Sequence, residues 1–263
     1  MSNEEENNFH QEMEKNKECQ ICKSKKIPIA DFSYAFQPII NIKAKDIFAH
    51  EALIRGVNGE SAFSVLEKIT PSNKYKFDQL CRVKAIEIAS KIGIKSKISI
   101  NFLPNAIYRP DVCIETTLQA AKNNKFPINK IIFETVEGEK IEDAKWLEEV
   151  FSEYKRIGFM TAIDDFGAGY AGLNLLSNFQ PDIIKLDMEL IRGIETKRPK
   201  QAIVSAIVKI CSDLNIDLVA EGVETFEEFN CLESHGVQFM QGYYFCKPIF
   251  EGFLSSTEGI YPS

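Results

Sequence analysis

From Phe32 onward, short apolar runs alternate with longer stretches of helical period. Two β-like runs come first, Tyr34-Ala-Phe-Gln-Pro-Ile-Ile-Asn-Ile-Lys43 and Ile47-Phe-Ala-His-Glu-Ala-Leu-Ile54, joined by a short polar turn. That pattern predicts a hairpin. Apolar residues then recur at helical spacing over 61–69 and, more strongly, over 74–92. Beyond them a rhythm sets in. The runs Ile98-Ser-Ile-Asn101, Ile131-Ile-Phe-Glu134, Thr161-Ala-Ile-Asp-Asp165, Ile183-Ile-Lys-Leu-Asp187, Leu218-Val-Ala-Glu221 and Phe239-Met-Gln241 each end on a polar residue, and helix-like stretches follow them. Their ends lie about 20 to 35 residues apart, which suits βα units, because parallel strands need crossovers of a dozen residues or more. The runs are nearly continuous in apolar residues, as strands covered on both faces are. No Pro/Gly/Ser-rich linker divides 31–263, so one α/β barrel domain is expected there; closed barrels of this kind run to about 250 residues.

Residues 1–30 differ. They are rich in Glu, Asn and Lys and poor in aliphatics, and read as a mobile tail. Their polar, acidic start does not resemble a secretory signal. Overall, 44% apolar and 26% charged residues exclude a collagen, a chain disordered throughout and a membrane bundle. No run of 18 apolar residues marks a membrane segment. With 31 basic and 38 acidic residues the net charge is −7, a poor basis for neutralising the phosphates of DNA. Seven cysteines, most of them single and in apolar surroundings, point to a reducing compartment, the cytoplasm. Cys19-x-x-Cys22 is at most half of a zinc or redox site. A four-cysteine site needs a second pair, which a dimer would have to supply, or a contribution from His10. The plainer reading is two cysteines in a tail.

In barrels, chemistry sits at the C-terminal ends of the strands. Here those ends carry Glu51, Asn101, Glu134, Asp164, Asp165, Lys185, Glu221 and Gln241. Five carboxylates converging on one mouth repel one another, and divalent cations are the simplest remedy. Carboxylates with an amide carbonyl are hard oxygen ligands that suit Mg²⁺, Mn²⁺ or Ca²⁺. The strand ends hold no His or Cys for a zinc site. The adjacent Asp164 and Asp165 can serve two metals together, and paired metals are a common device for phosphodiester hydrolysis. Each residue taken singly also has a plain structural reading. A strand-end acid can cap a helix, Asn101-Phe-Leu-Pro can begin a turn, and the glycines after Asp165 can make a tight turn. Lys185, inside an apolar strand, must find anionic company, because a buried unpaired ammonium is costly.

Taken together, these residues resemble the EAL family of cyclic di-GMP phosphodiesterases. The signature is Glu51-Ala-Leu-Ile-Arg55-Gly56. Around it stand Phe36-Gln-Pro-Ile39, Asn101-Phe-Leu-Pro104, Glu134-Thr-Val-Glu137, Asp164-Asp-Phe-Gly-Ala-Gly-Tyr170, Lys185-Leu-Asp187, Ala220-Glu-Gly-Val-Glu-Thr225 and Gln241-Gly-Tyr-Tyr-Phe245. The wording is most similar to the EAL domains of blue-light-regulated members, although the 30 residues upstream leave no room for a photoreceptor domain. The resemblance implies a modified TIM barrel whose first strand runs antiparallel. It implies that Glu51, Asn101, Glu134 and Asp164 hold one metal, and that Asp164, Asp165 and Glu221 hold the second. Lys185 would orient the attacking water. Leu53, Arg55, Gln241 and Gln37 would seat the nucleotide, and Glu137 would anchor the loop after Asp165. The implied reaction converts cyclic di-GMP to linear pGpG in a homodimer, with Mg²⁺ or Mn²⁺ supporting it and Ca²⁺ inhibiting. A non-catalytic cyclic di-GMP receptor or interaction module on the same fold is the alternative.

Departures from the family pattern are few. Ala168 and Ala171 replace hydroxyl residues, and Gly56 stands where an aromatic is common; no functional group in the implied site is lost. His50, beside Glu51, reads as a packing residue or one that supports the site from behind rather than a ligand, and His235 as the cap of a helix end.

Overall fold

The computed structural model describes residues 31–70, 72–104, 107, 109–136, 144–167 and 172–260. Glu137, the loop at 168–171 and the segment with His10, Cys19 and Cys22 lie outside them. The expected hairpin forms. Strand β1 (Ser33–Asn41) pairs antiparallel with β2 (Asp46–Arg55), from Ser33 opposite Arg55 to Asn41 opposite Asp46. In its turn the Asn41 side chain accepts the Ala44 amide at 3.0 Å, the local bond that makes Asn a turn residue.

After β2 come α1 (Ala62–Leu66) and α2 (Lys74–Ile92). Helix α1 is shorter than the predicted 61–69. Just beyond it Asn73 accepts the Thr70 amide and donates to the Lys68 carbonyl, and such side-chain bonds compete with a helical turn. The βα rhythm then runs as β3 (Lys97–Asn101), α3 (Pro110–Cys113), α4 (Glu115–Asn123), β4 (Ile131–Val136), α5 (Ala144–Ile157), β5 (Met160–Phe166) and α6 (Gly172–Asn178). It continues through β6 (Ile183–Leu186), α7 (Met188–Ile191), α8 (Arg198–Leu214), β7 (Asp217–Ala220), α9 (Phe226–Ser234) and β8 (Phe239–Met240).

Strands β2 to β8 pair in sequence, each parallel to the next. Strand β1 pairs antiparallel with β8 on its other side and closes the ring. The architecture is the modified TIM barrel, with the first strand reversed. A short β9 (Ile249–Phe250), which the pattern did not predict, adds to β1 opposite Ala35 and Phe36.

Two apolar clusters hold this frame. The larger lies between strands and helices. The smaller, Ile39, Ala49, Ile132, Ala162, Ile183, Val219 and Phe239, comes one residue from each of seven strands and fills the barrel interior. Behind β3 and β4, Arg82 of α2 is fully buried. It is paired with Asp78, donates to the Tyr154 hydroxyl at 2.7 Å and lies against the rings of Phe102 and Phe133.

Candidate active site

Alternation along a strand puts residues i and i+2 on one face. Two positions on from the interior apolar residues of β2 and β4 to β8 stand Glu51, Glu134, Asp164, Lys185, Glu221 and Gln241. On the reversed β1 the corresponding step from Ile39 runs backwards, to Gln37. The barrel is thus plugged by hydrocarbon at one level and ringed by polar groups at the next, at the C-terminal ends of the parallel strands.

Strand β5 breaks this alternation. Its register shifts between Ile163 and Phe166, and Asp165 has φ +52°, a left-handed conformation uncommon outside Gly that Asp adopts more readily than most residues. The irregularity brings both Asp164 and Asp165 to the mouth, where a regular strand would turn one of them away.

Lys185 sits at the centre, 1% exposed. Its Nζ lies 2.6 Å from Glu221 Oε1, 3.2 Å from Glu134 Oε2, 3.2 Å from Asp164 Oδ1 and 3.6 Å from Glu51 Oε2. The ammonium has the anionic company its position demands. Desolvation alone would lower its pKa, but Asp164, Glu134, Glu221 and Glu51 outweigh it and hold the amine well above its usual value. Burial, reinforced by Glu51 and Asp164, pushes Glu134 up to about 8. Burial also pushes Asp165 up to about 6, with Asp164 adding to it, and raises Glu221 well above the ordinary carboxylate range against the pull of Lys185. One ammonium does not neutralise this cluster.

The remaining polar groups brace the carboxylates. Asn101 Nδ2 donates to Glu134 Oε1 at 2.9 Å and reaches Glu51 Oε1 at 3.5 Å. The Ser99 hydroxyl donates to Glu134 Oε2 at 2.5 Å. Gln241 Nε2 donates to Glu51 Oε2 at 2.6 Å and to Gln37 Oε1 at 3.2 Å, and Gln37 donates in turn to the Cys246 carbonyl at 3.1 Å. Gln241 Oε1 is buried with no hydrogen-bond partner among the described residues. Sequence reasoning missed Ser99; its signal was the i, i+2 spacing to Asn101. Leu53 and Arg55 lie half-buried at the end of β2, and Arg55 donates to its neighbour's carbonyl, Ile54 O, at 2.7 Å.

The residues fit divalent cations. Glu51, Glu134 and Asp164 each offer an oxygen within 4.8 Å of the others, and so do Asp164, Asp165 and Glu221. The two groups share Asp164 and contain oxygen donors alone, the preference of Mg²⁺, Mn²⁺ and Ca²⁺. Beside them opens a cavity of about 250 Å³ walled by Gln37, Glu51, Glu221, Gln241, Met188 and Tyr243. Gly242, also on its wall, packs against the Val223 backbone: a Cβ there would stand 1.9 Å from the Val223 carbonyl oxygen.

The model of one protein family, the EAL domain, matches residues 24–248. The chain belongs to the EAL domain family. Among curated relatives, it is 36% identical over 230 residues to the blue light- and temperature-regulated antirepressor BluF of Escherichia coli K12, covering 87% of this chain and 57% of BluF. Three probable cyclic di-GMP phosphodiesterases of the same strain match at 28–30% identity. The chain spans about half the length of these curated relatives. A standalone versatile EAL protein of Vibrio cholerae O395, solved with c-di-GMP bound, is 53% identical; the match covers 89% of this chain and 99% of that one, with TM-score 0.85. The manganese and cyclic di-GMP complex of Klebsiella pneumoniae BlrP1 is 35% identical, with 87% and 59% coverage and TM-score 0.80.

His50 and His235 hold the structural places expected of them. His50 Nε2 meets the Leu254 carbonyl at 3.0 Å and Nδ1 the Ser96 hydroxyl at 2.7 Å, away from Glu51. His235 Nδ1 meets the Cys231 carbonyl at 2.7 Å at the end of α9.

Proposed function

We propose that this chain hydrolyses one phosphodiester of cyclic di-GMP to give linear pGpG, using two divalent cations, Mg²⁺ or Mn²⁺. The observation that carries the reading is the pair of three-carboxylate groups sharing Asp164 around a buried ammonium. The likeness to a c-di-GMP-bound EAL protein and to a manganese complex supports it.

In this reading Glu51, Glu134 and Asp164 hold one cation, with Asn101 turning its amide oxygen towards it. Asp164, Asp165 and Glu221 hold the other. When bound, the cations polarise the phosphodiester and lower the pKa of water. Lys185 would orient the water and the phosphate as an ammonium, the charge state that suits its place among carboxylates. Leu53, Arg55, Gln37 and Gln241 seat the nucleotide. Arg55 leaves the Ile54 carbonyl to take a phosphate oxygen, and Gln241 Oε1 accepts from the ligand. Glu137 anchors the loop after Asp165. The protein works as a homodimer in the cytoplasm, with residues 31–263 as the catalytic domain and 1–30 as a tail.

Ca²⁺ is expected to inhibit, because a larger ion with looser coordination holds the reacting groups less closely. The test is chromatography of the products from cyclic di-GMP with Mg²⁺, Mn²⁺ or Ca²⁺ after chelation. pGpG with the first two and its suppression by the third supports the reading. The likeness to BluF favours a second reading, in which the domain binds the nucleotide or a protein without turnover. Nucleotide binding with no product under any of the three metals would establish that reading instead.

A further inference from the structure

We infer that Ser99 is a positioning residue for the metal centre, an assignment that rests on the reading above of Glu134 as a metal ligand. Strand β3 sets Ser99 and Asn101 two residues apart, on the one face that turns to the barrel interior. Ser99 is 1% exposed and its hydroxyl donates to Glu134 Oε2 at 2.5 Å, while Asn101 Nδ2 donates to Oε1 at 2.9 Å. Both oxygens of Glu134 are therefore held from a single neighbouring strand. Glu134 is fully buried, so no solvent bond can set its orientation in place of these two.

The Asn101 bond is lost if its amide turns to offer oxygen to a cation. Ser99 is then the one uncharged donor on Glu134 among the described contacts, with Lys185 on the same Oε2. It fixes the rotation of the carboxyl plane, so that the lone pairs not used by Ser99 and Lys185 point to the cation. A ligand held in this way binds metal without first losing rotational freedom, and removing such outer partners typically costs metal affinity.

Thr135, the next residue on β4, supplies the control. It is equally buried, and its hydroxyl has no hydrogen-bond partner among the described residues. Binding of Mn²⁺ alone to the chelated full chain, read by calorimetry, is compared for the wild type, Ser99→Ala and Thr135→Val. Ser99→Ala should weaken Mn²⁺ about 10- to 100-fold while Thr135→Val stays within about twofold. Turnover of cyclic di-GMP by Ser99→Ala should recover at saturating Mn²⁺, which separates metal affinity from chemistry. Mn²⁺ binding by Ser99→Ala within twofold of wild type overturns the assignment. So does loss of cooperative thermal unfolding in Ser99→Ala but not in Thr135→Val, which would make Ser99 a folding residue. Failure of the wild type itself to bind Mn²⁺ would overturn the metal reading of Glu134, a separate outcome.

Discussion

Lys185 decides the electrostatics of the mouth. Four carboxylates lie within 3.6 Å of its Nζ, and without a cation they have no other strong counter-charge among the described residues. Removing one member of a buried ionic group leaves its partners uncompensated, at a cost of about 3–5 kcal/mol. Lys185→Met should therefore lower the stability of the chelated protein by about that amount, and Mn²⁺ should return part of it. Urea unfolding in chelator and in Mn²⁺ checks both; a variant as stable as wild type in chelator would contradict the electrostatic picture. His50 contributes to the acid dependence, with the opposite sign to Asp165 and Glu134, whose raised pKa values make the folded state take up protons first. Desolvation lowers its pKa from 6.5 to about 4, so between those values the unfolded chain binds the proton and the folded protein does not. The His50 contribution is complete above the unfolded value and is lost as pH falls towards 4, by about 3 kcal/mol in total. His50→Gln should remove this contribution from the stability profile over that window; an unchanged slope would mean that the imidazole is not held neutral.

Helix α2 reaches the site from behind. Asp78 accepts the Leu103 amide at 2.9 Å, two residues past Asn101, and Arg82 lies against Phe102 and Phe133, the neighbours of Asn101 and Glu134. Asp78→Asn should destabilise the fold by about 3 kcal/mol, whereas replacing both charges together with apolar side chains should cost less, because the desolvation of the pair is then relieved. Denaturant unfolding of the single and double variants would show it, and equal losses would contradict it. At this scale much was legible beforehand. The apolar runs between 98 and 241 became β3 to β8, and Asn101, Glu134, Asp165, Glu221 and Gln241 at their ends reached the mouth, while Asp187 capped α7 and left Lys185 to face it, because the barrel rule and the two-residue period act locally. What escaped was non-local. The register shift that turns Asp164 and Asp165 to the same side depends on how β5 meets β6. The pairing of Ile249 and Phe250 with β1 joins positions more than 200 residues apart. Ser99 looked like an ordinary strand residue until β4 placed Glu134 beside it.

The whole molecule carries −7 and concentrates acidic groups at one barrel mouth, closed below by hydrocarbon. Such a design gains stability from any cation that binds the folded state alone, about 2.7 kcal/mol at a concentration one hundred times Kd. The melting temperature should therefore rise with Mn²⁺ concentration in the wild type and much less in Asp164→Asn, which removes the carboxylate shared by both groups; equal responses would deny Asp164 that place. The most direct measurement is turnover of cyclic di-GMP by chelated protein as Mg²⁺ is added back, with wild type and Glu51→Ala side by side. A two-cation phosphodiesterase releases pGpG in proportion to Mg²⁺ occupancy in the wild type and loses that activity in Glu51→Ala. Nucleotide bound and returned intact by the wild type at saturating Mg²⁺, or pGpG formed equally well by Glu51→Ala, would contradict it.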